Sequence, residues 1–298
     1  MKIFITGAAG YIGGSLCEYL RDAGHEVTGL VRSEDKAAAL RQRGISALVG
    51  QLTDADVVSE GVKHASAVVN TAEADDAEQL KPLIAALSGT GKALIHTSGS
   101  STVVDDAKGE FAGETIYSDD SPFVPMPHRI PRVAVDRMVR SAGISDGIRA
   151  VVISPTMVYG EGRGLKRDSH QIPLLRMKSK ERGAGVFVGK GAPIWSSVYL
   201  GDLLSLYELA LEKAPSGSFF FAESQEASFT EIATAISLSL GFGGRTESWS
   251  IDEAVAEIGG VAQIALATNC RTSAVNARRL LGWNPTGPSL RDALASGA

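Results

Sequence analysis

The chain has 298 residues, 44% hydrophobic and 21% charged, with a formal net charge of −5. A chain of that length buries a large core without covalent staples, as one large domain or two, and its acidic balance argues against a surface built for nucleic acid. The two cysteines, Cys17 and Cys270, match no disulfide or metal spacing, which points to a reduced, cytoplasmic compartment and no metal site; no stretch approaches the roughly 18 apolar residues of a membrane helix.

Lys2–Thr6 reads as a short buried strand. A signal peptide is the competing reading, but the apolar run breaks at Gly7 and Gly10, and Glu18 follows soon after. A helix comes next, with Ile12, Leu16 and Leu20 on one face. Residues 25–31 form a second strand. Ser33 caps the next helix, with Glu34 and Asp35 near its positive end and Gly44 past its last turn. Residues 45–49 and 67–71 are strands three and four. A helix over 78–87 carries Pro82, which predicts a kink or a late start. Ala93–Thr97 and residues 149–153 are strands five and six. Alternating strands and helices predict an α/β fold, a Rossmann-type doubly wound parallel sheet. Beyond Pro155 the character changes. Helices there carry capping boxes, Ser228 with Glu231 and Ser250 with Glu253. The division expected is a dinucleotide-binding domain over 1–155 and a smaller, α-rich substrate lobe over 156–298, with Phe219–Ala222 a strand that returns to the main sheet.

Thr6-Gly7-Ala8-Ala9-Gly10-Tyr11-Ile12-Gly13 joins the first strand to the first helix. In such a loop the first glycine permits a tight turn, the second lets the backbone approach a pyrophosphate, and the third lets the helix lie against the sheet. The helix N-terminus aims unpaired N–H groups at the phosphates. The position of the pattern, after a strand and before an amphipathic helix, is what lifts it above a chance glycine spacing. An acidic residue at the end of strand two would accept from a ribose 2′-hydroxyl; an arginine there suits a 2′-phosphate. Here Val31 is followed by Arg32, with no acid until Glu34. NADP is therefore the cofactor expected, with NAD the alternative; a solvated arginine at a strand end is the plainer account of Arg32.

With these residues the chain resembles the extended short-chain dehydrogenases/reductases of the epimerase/dehydratase and dihydroflavonol-reductase kind, over nearly its whole length. Gly50-Gln51-Leu52-Thr53-Asp54 is similar to the segment beside the adenine, with Gln51 in place of an aspartate. Asn70-Thr71-Ala72 is similar to the end of the family's fourth strand, and Ser154-Pro155-Thr156-Met157-Val158-Tyr159-Gly160 to the segment that passes the nicotinamide. Trp195 to Asp202 and Leu280-Leu281-Gly282-Trp283-Asn284-Pro285 resemble later signatures. The resemblance implies that Gly7, Ala9, Gly10, Tyr11, Ile12, Gly13, Arg32, Gln51, Leu52, Thr71, Ala72, Thr97 and Pro155 face the cofactor. It also implies a small-molecule substrate and a homodimer, whose pairing helix is the one altered at Pro131.

The resemblance further implies catalysis by a serine and by a tyrosine and lysine spaced Tyr-x-x-x-Lys. This sequence departs from that set. No tyrosine is followed four residues later by lysine. Aligning the family's acidic helix residue with Asp136 puts His128 at the tyrosine position and Arg132 at the lysine position, with Pro131 between; Gly99 falls at the serine position. Proline belongs in a first helical turn, so the helix should begin near Pro131 and leave His128 outside it. The pattern is that of atypical members, for which the resemblance implies a fold and a cofactor but no established reaction.

His128 is the most economical substitute acid; a surface histidine in the loop of Pro122, Pro125, Pro127 and Pro131 is the plainer reading. Ser98 and Ser100 follow strand five, where a serine either bonds a substrate oxygen or caps a turn. Tyr117 reads as an exposed loop residue, Tyr159 as packing beside the cofactor, Trp195 as a pocket wall or lobe packing, Asp202 as capping or orienting its helix, and His96 as a satisfied core histidine. His25, His64 and His170 form no metal constellation with nearby acids. Three functions follow: an NADP-dependent oxidoreductase acting on a small carbonyl or alcohol; a silent NADP-binding redox sensor or scaffold; and, more weakly, an isomerase or lyase of the sugar-epimerase type.

Overall fold

The computed structural model describes residues 1–295. The chain lays down β1 (Lys2–Thr6), α1 (Tyr11–Asp22), β2 (Glu26–Val31), α2 (Glu34–Gln42), β3 (Ser46–Val49), α3 (Ala55–His64), β4 (Ala67–Asn70), α4 (Ala77–Leu87) and β5 (Ala93–Thr97). After a long connection containing the two-residue β6 (Tyr117–Ser118) come α5 (Ile130–Ser145) and β7 (Arg149–Pro155). The second half runs β8 (Met157–Tyr159), α6 (Gln171–Arg182), β9 (Gly185–Val188), β10 (Ile194–Tyr199), α7 (Leu200–Lys213) and β11 (Phe219–Ala222). It closes with β12 (Gln225–Ser228), α8 (Phe229–Ser239), β13 (Thr246–Trp249), α9 (Ile251–Ile258), β14 (Thr272–Ser273), α10 (Val275–Leu281) and α11 (Leu290–Ala295).

Seven strands form one sheet in the order β11-β7-β5-β4-β1-β2-β3, every pair parallel. Helices cover both faces, so the central strands are apolar without alternation: all of β4 and β5 are buried. From β1 the chain moves outward through β2 and β3, then crosses back to β4 on the other side. The strand order thus reverses between β1 and β4, and a doubly wound sheet binds its ligand at the carboxyl ends of the strands flanking that point.

Several elements refine the sequence reading. Helix α3 was not anticipated; Asp54 accepts from the Val57 amide, and Val58 and Val62, four apart, face the core. Helix α4 starts at Ala77, capped by Asp76, and runs through Pro82, so the start is not late. Helix α5 begins at Ile130 with Pro131 in its first turn, and His128 sits in the single 3-10 turn Pro127–Arg129 before it. β11 returns to the main sheet beside β7, so the sheet draws its edge strand from beyond Pro155. The second half adds three small sheets, β12-β10-β8, β13-β9 and β14 with β6; α6 and α8 pack on β9, and α11 packs on α8. Both capping boxes are formed. No helix among the described residues is long and apolar enough to cross a membrane.

Candidate functional site

The turn between β1 and α1 is built for close approach. Gly7 has φ +72°, which only glycine adopts without strain. A Cβ there would lie 2.7 Å from Thr71 Oγ1 and 2.8 Å from the Thr71 carbonyl. Thr71 is itself fixed, its hydroxyl donating to the Thr6 carbonyl at 2.7 Å. At Gly13 a Cβ would collide with the Gly7 carbonyl and Thr71 Oγ1, so helix and loop pack backbone to backbone. Gly10 is the N-cap of α1 and has no side chain to satisfy the first-turn amides. Those amides are left to a ligand or to water.

Gly7, Ala9 and Gly10 border a cavity of about 530 Å³, which continues past Arg32, Lys36, Gln51, Leu52, Thr71, Ala72 and Glu73. A second cavity, about 320 Å³, has Gly10, Tyr11, Ile12, Gly13, Thr71, Thr97, Thr156, Lys166 and His170 in its wall. The two share Gly10, Thr71 and Lys166 and form one crevice over the reversal point of the sheet. Of the residues expected at a cofactor, all but Pro155 line it; Pro155 is buried at the end of β7. Another cavity of about 530 Å³, beside Lys2, His25, Glu26 and His64, sits at the amino ends of the strands, where parallel sheets do not bind their ligands.

The glycine contacts and the uncapped α1 amides fit a dinucleotide pyrophosphate. Arg32 and Lys36 supply two cationic groups beside the adenosine end. Glu73 shares that wall, but one of its carboxylate oxygens accepts from the Ala74, Asp75 and Asp76 amides at 2.9, 2.6 and 3.1 Å.

The expected catalytic side chains lie elsewhere. His128 is exposed and lines neither half of the crevice. Arg132 is held by Asp75, Nε to Oδ1 at 2.9 Å and Nη2 to Oδ2 at 2.6 Å, and donates to Ser101 Oγ at 3.1 Å. Its guanidinium passes so close to Gly99 that a Cβ there would be 2.8 Å from Nη1. Ser98 donates to Asp136 Oδ2 at 2.9 Å. Ser100 is buried, and its Oγ accepts from the Cys270 thiol at 3.1 Å. Thr97 Oγ1 shares a 2.6 Å hydrogen bond with the Tyr207 hydroxyl, and Thr156 donates to the Ala222 carbonyl at 2.7 Å.

Other sequence readings change. His96 is only half satisfied: Nδ1 bonds Asn70 Nδ2 at 2.9 Å, whereas Nε2 has no hydrogen bond and lies 3.8 Å from Asp136 Oδ1, which also lacks one. Burial pushes His96 down to about 3, with the Arg132 charge adding to the effect, and pushes Asp136 up to about 7, opposed by the Ser98 hydrogen bond. The pair is therefore neutral in mild acid rather than a salt bridge. Asp202 does not cap its helix; its carboxylate accepts from the Thr286 and Gly287 amides and ties down the C-terminal segment. The Tyr159 hydroxyl donates to the Pro288 carbonyl at 2.7 Å. Trp195 donates to the Thr268 carbonyl and packs on Phe229, and Tyr117 packs edge-on against Phe123.

Among the crevice residues to which the sequence reading gave no role are Lys36, Lys166 and His170. Lys36 left a signal, a cation in the first turn of α2, four residues after Arg32. Lys166 and His170 belong to residues 160–170, whose Gly160, Gly162 and Gly164 signal a tightly placed backbone. That segment lies over α1: Tyr11 donates to the Gly160 carbonyl at 2.6 Å, the Arg163 amide donates to Ser15 Oγ at 3.0 Å, and a Cβ on Gly164 would meet Gly14 Cα at 2.6 Å.

Comparison with known proteins agrees with this architecture. The model of the NAD dependent epimerase/dehydratase family matches residues 3–220. An uncharacterized protein of Schizosaccharomyces pombe is 33% identical, over 100% of this chain and 99% of its own. The oxidase ucsJ of an Acremonium species is 32% identical, over 97% of this chain and 94% of its own. Among solved structures, the dTDP-glucose 4,6-dehydratase of Bacillus anthracis in complex with NAD superposes with a TM-score of 0.79 at 15% identity, covering 99% of this chain and 94% of that one; the likeness is one of fold.

Proposed function

The chain belongs to the NAD dependent epimerase/dehydratase family, and from that premise we propose that it binds NADP in preference to NAD and reduces a small carbonyl compound. The observation that carries the reading is the crevice wall after β2: Arg32 and Lys36 face the adenosine end, and the acid that shares that wall, Glu73, is turned into a backbone turn. Two cations in place of a carboxylate suit a 2′-phosphate, and the arginine fork suits it bidentately. The α1 amides hold the pyrophosphate, and Lys166, on both halves of the crevice, adds a positive charge between them. When bound, the nicotinamide supplies a hydride. The protein's part is to position the acceptor beside Thr97 and Thr156 and to exclude competing water.

A second reading is a binder without turnover. It is favoured by the engagement of Ser98, Ser100 and Arg132 with Asp136, Cys270 and Asp75. Equilibrium titration with NADP, NADPH, NAD and NADH, followed by an NADPH-oxidation screen over aldehydes, ketones and quinones, separates the two. Binding of NADP at least ~10-fold tighter than NAD, together with turnover, supports the reductase. Tight NADP binding with no turnover selects the silent binder. Equal affinity for NAD and NADP overturns the cofactor preference.

A further inference from the structure

The nicotinamide-side cavity contains three titratable side chains, Tyr11, Lys166 and His170. Tyr11 is committed: its hydroxyl donates to the Gly160 carbonyl, and burial raises its pKa. Lys166 also lines the adenosine-side cavity, so it borders both halves of the crevice, whereas His170 borders only this one. The hydroxyls of Thr97 and Thr156 already have partners. His170 differs from all of these. It is the N-cap residue of α6, yet its ring makes no capping bond, and the residue is exposed and borders the cavity.

The His170 backbone is nonetheless fixed from both sides. Its carbonyl accepts from the Leu174 amide in the first turn of α6, Ile172 and Leu175 are buried, and Gln171 donates to the Ala265 carbonyl at 3.1 Å. Upstream, the segment is clamped to α1 through Gly160, Arg163 and the Gly14–Gly164 contact. An imidazole on a fixed backbone, in the wall that also carries Thr97 and Thr156, has the chemistry of a general acid.

We propose that His170, rather than His128, is the proton donor of the reduction; the assignment rests on the reductase reading above. The substrate's carbonyl carbon accepts the hydride from NADPH, its π pair moves to oxygen, and the oxygen takes a proton from the His170 imidazolium. The products are the alcohol, NADP⁺ and a neutral imidazole, which solvent reprotonates. Because His170 acts in its protonated form, the rate of reduction falls as pH rises.

The test joins two readouts on the intact protein. The His170 ring is titrated by NMR, free and with NADP⁺, and assigned with His170→Gln. Its signals shift on NADP⁺ addition, and its midpoint with NADP⁺ matches the falling limb of the pH–rate profile. His170→Gln and His170→Asn lower kcat by about 10²–10⁴-fold, abolish that limb and leave NADPH affinity within about twofold. Ring signals indifferent to NADP⁺, or variants that keep both rate and limb, overturn the donor assignment alone. A wild-type protein that consumes no NADPH with any carbonyl overturns the reductase reading first and the donor with it.

Discussion

Around Gly7, Gly10 and Gly13 the site is made of backbone; around Thr97 and Thr156 it depends on side chains, and most of those are engaged elsewhere. In the first half, each close contact is between main-chain atoms or to Thr71, itself bonded to the Thr6 carbonyl. In the second, Ser98 faces Asp136, Ser100 faces Cys270, and Arg132 faces Asp75. A backbone site is specified by a few local φ/ψ requirements and survives when neighbouring side chains change. A side-chain site must be re-formed from whatever the tertiary structure delivers, and here it delivers His170 and Lys166 from a distant loop. On the reductase reading proposed above, cofactor binding and proton transfer are separable and can be tested independently.

The strongest way to break the comparison is at the backbone. Gly13→Val drives a branched side chain into the Gly7 carbonyl, with no flexible neighbour to yield. Dinucleotide affinity should fall at least ~1,000-fold, about 4 kcal/mol, with a loss of fold stability of about 1–3 kcal/mol; titration and thermal melting check both. Near-normal affinity would mean that the loop is not the phosphate site.

Beneath the second half, the His96–Asp136 pair makes a pH prediction. The folded His96 value, about 3, lies below its unfolded 6.5, so its contribution to stability rises with pH between those values. The folded Asp136 value, about 7, lies above its unfolded 3.8, so its contribution falls over that window and the penalty is complete above it. In the wild type the two slopes oppose each other from about pH 4 to 6.5. Asp136→Asn keeps an acceptor for Ser98 and removes the second slope. The variant should gain stability through that window and exceed the wild type at pH 8 by about 4 kcal/mol. Denaturant unfolding at pH 4.5, 6.5 and 8 reads this; parallel curves for the two proteins would rule it out.

Arg32→Ala and Lys36→Ala sharpen the adenosine end. Each should weaken NADP by about 10-fold, the worth of a charge-assisted hydrogen bond, and leave NAD within about twofold. Equal losses for both cofactors would move the two cations away from the 2′-phosphate. The smallest effects belong to the positions where the family keeps its catalytic pair. Arg132→Met loses a partly exposed ion pair and should cost under about 1 kcal/mol with cofactor affinity unchanged, whereas a 10-fold drop in affinity would place Arg132 at the cofactor. His128→Ala, in the exposed turn before α5, should alter turnover less than about twofold.

Much of the first half of the fold was legible because its signals are local. The glycine spacing and the apolar strands declare a turn and buried strands within a few residues, and Ser33 marks the start of α2 although its side chain forms no capping bond. Helix α3 was missed because its single apolar pair, Val58 and Val62, is a weak periodic signal. Pro131 announced the start of α5 and so the displacement of His128, since proline's fixed φ and missing N–H act locally. Lys166 and His170 carried no comparable mark: their importance comes from the docking of residues 160–170 on α1, a contact between segments far apart in sequence.

The doubly wound sheet and the dinucleotide loop at its reversal point follow from short stretches of the chain, because glycine conformation, strand burial and helix capping are local properties. Packing between distant segments settles which side chains occupy the crevice. Ser98, Ser100 and Arg132 found partners in Asp136, Cys270 and Asp75, and His170 reached the cavity because Gly14 and Gly164 let two backbones meet. Side-chain placement of that kind depends on hydrogen bonds and close packing between distant segments, which no local pattern records.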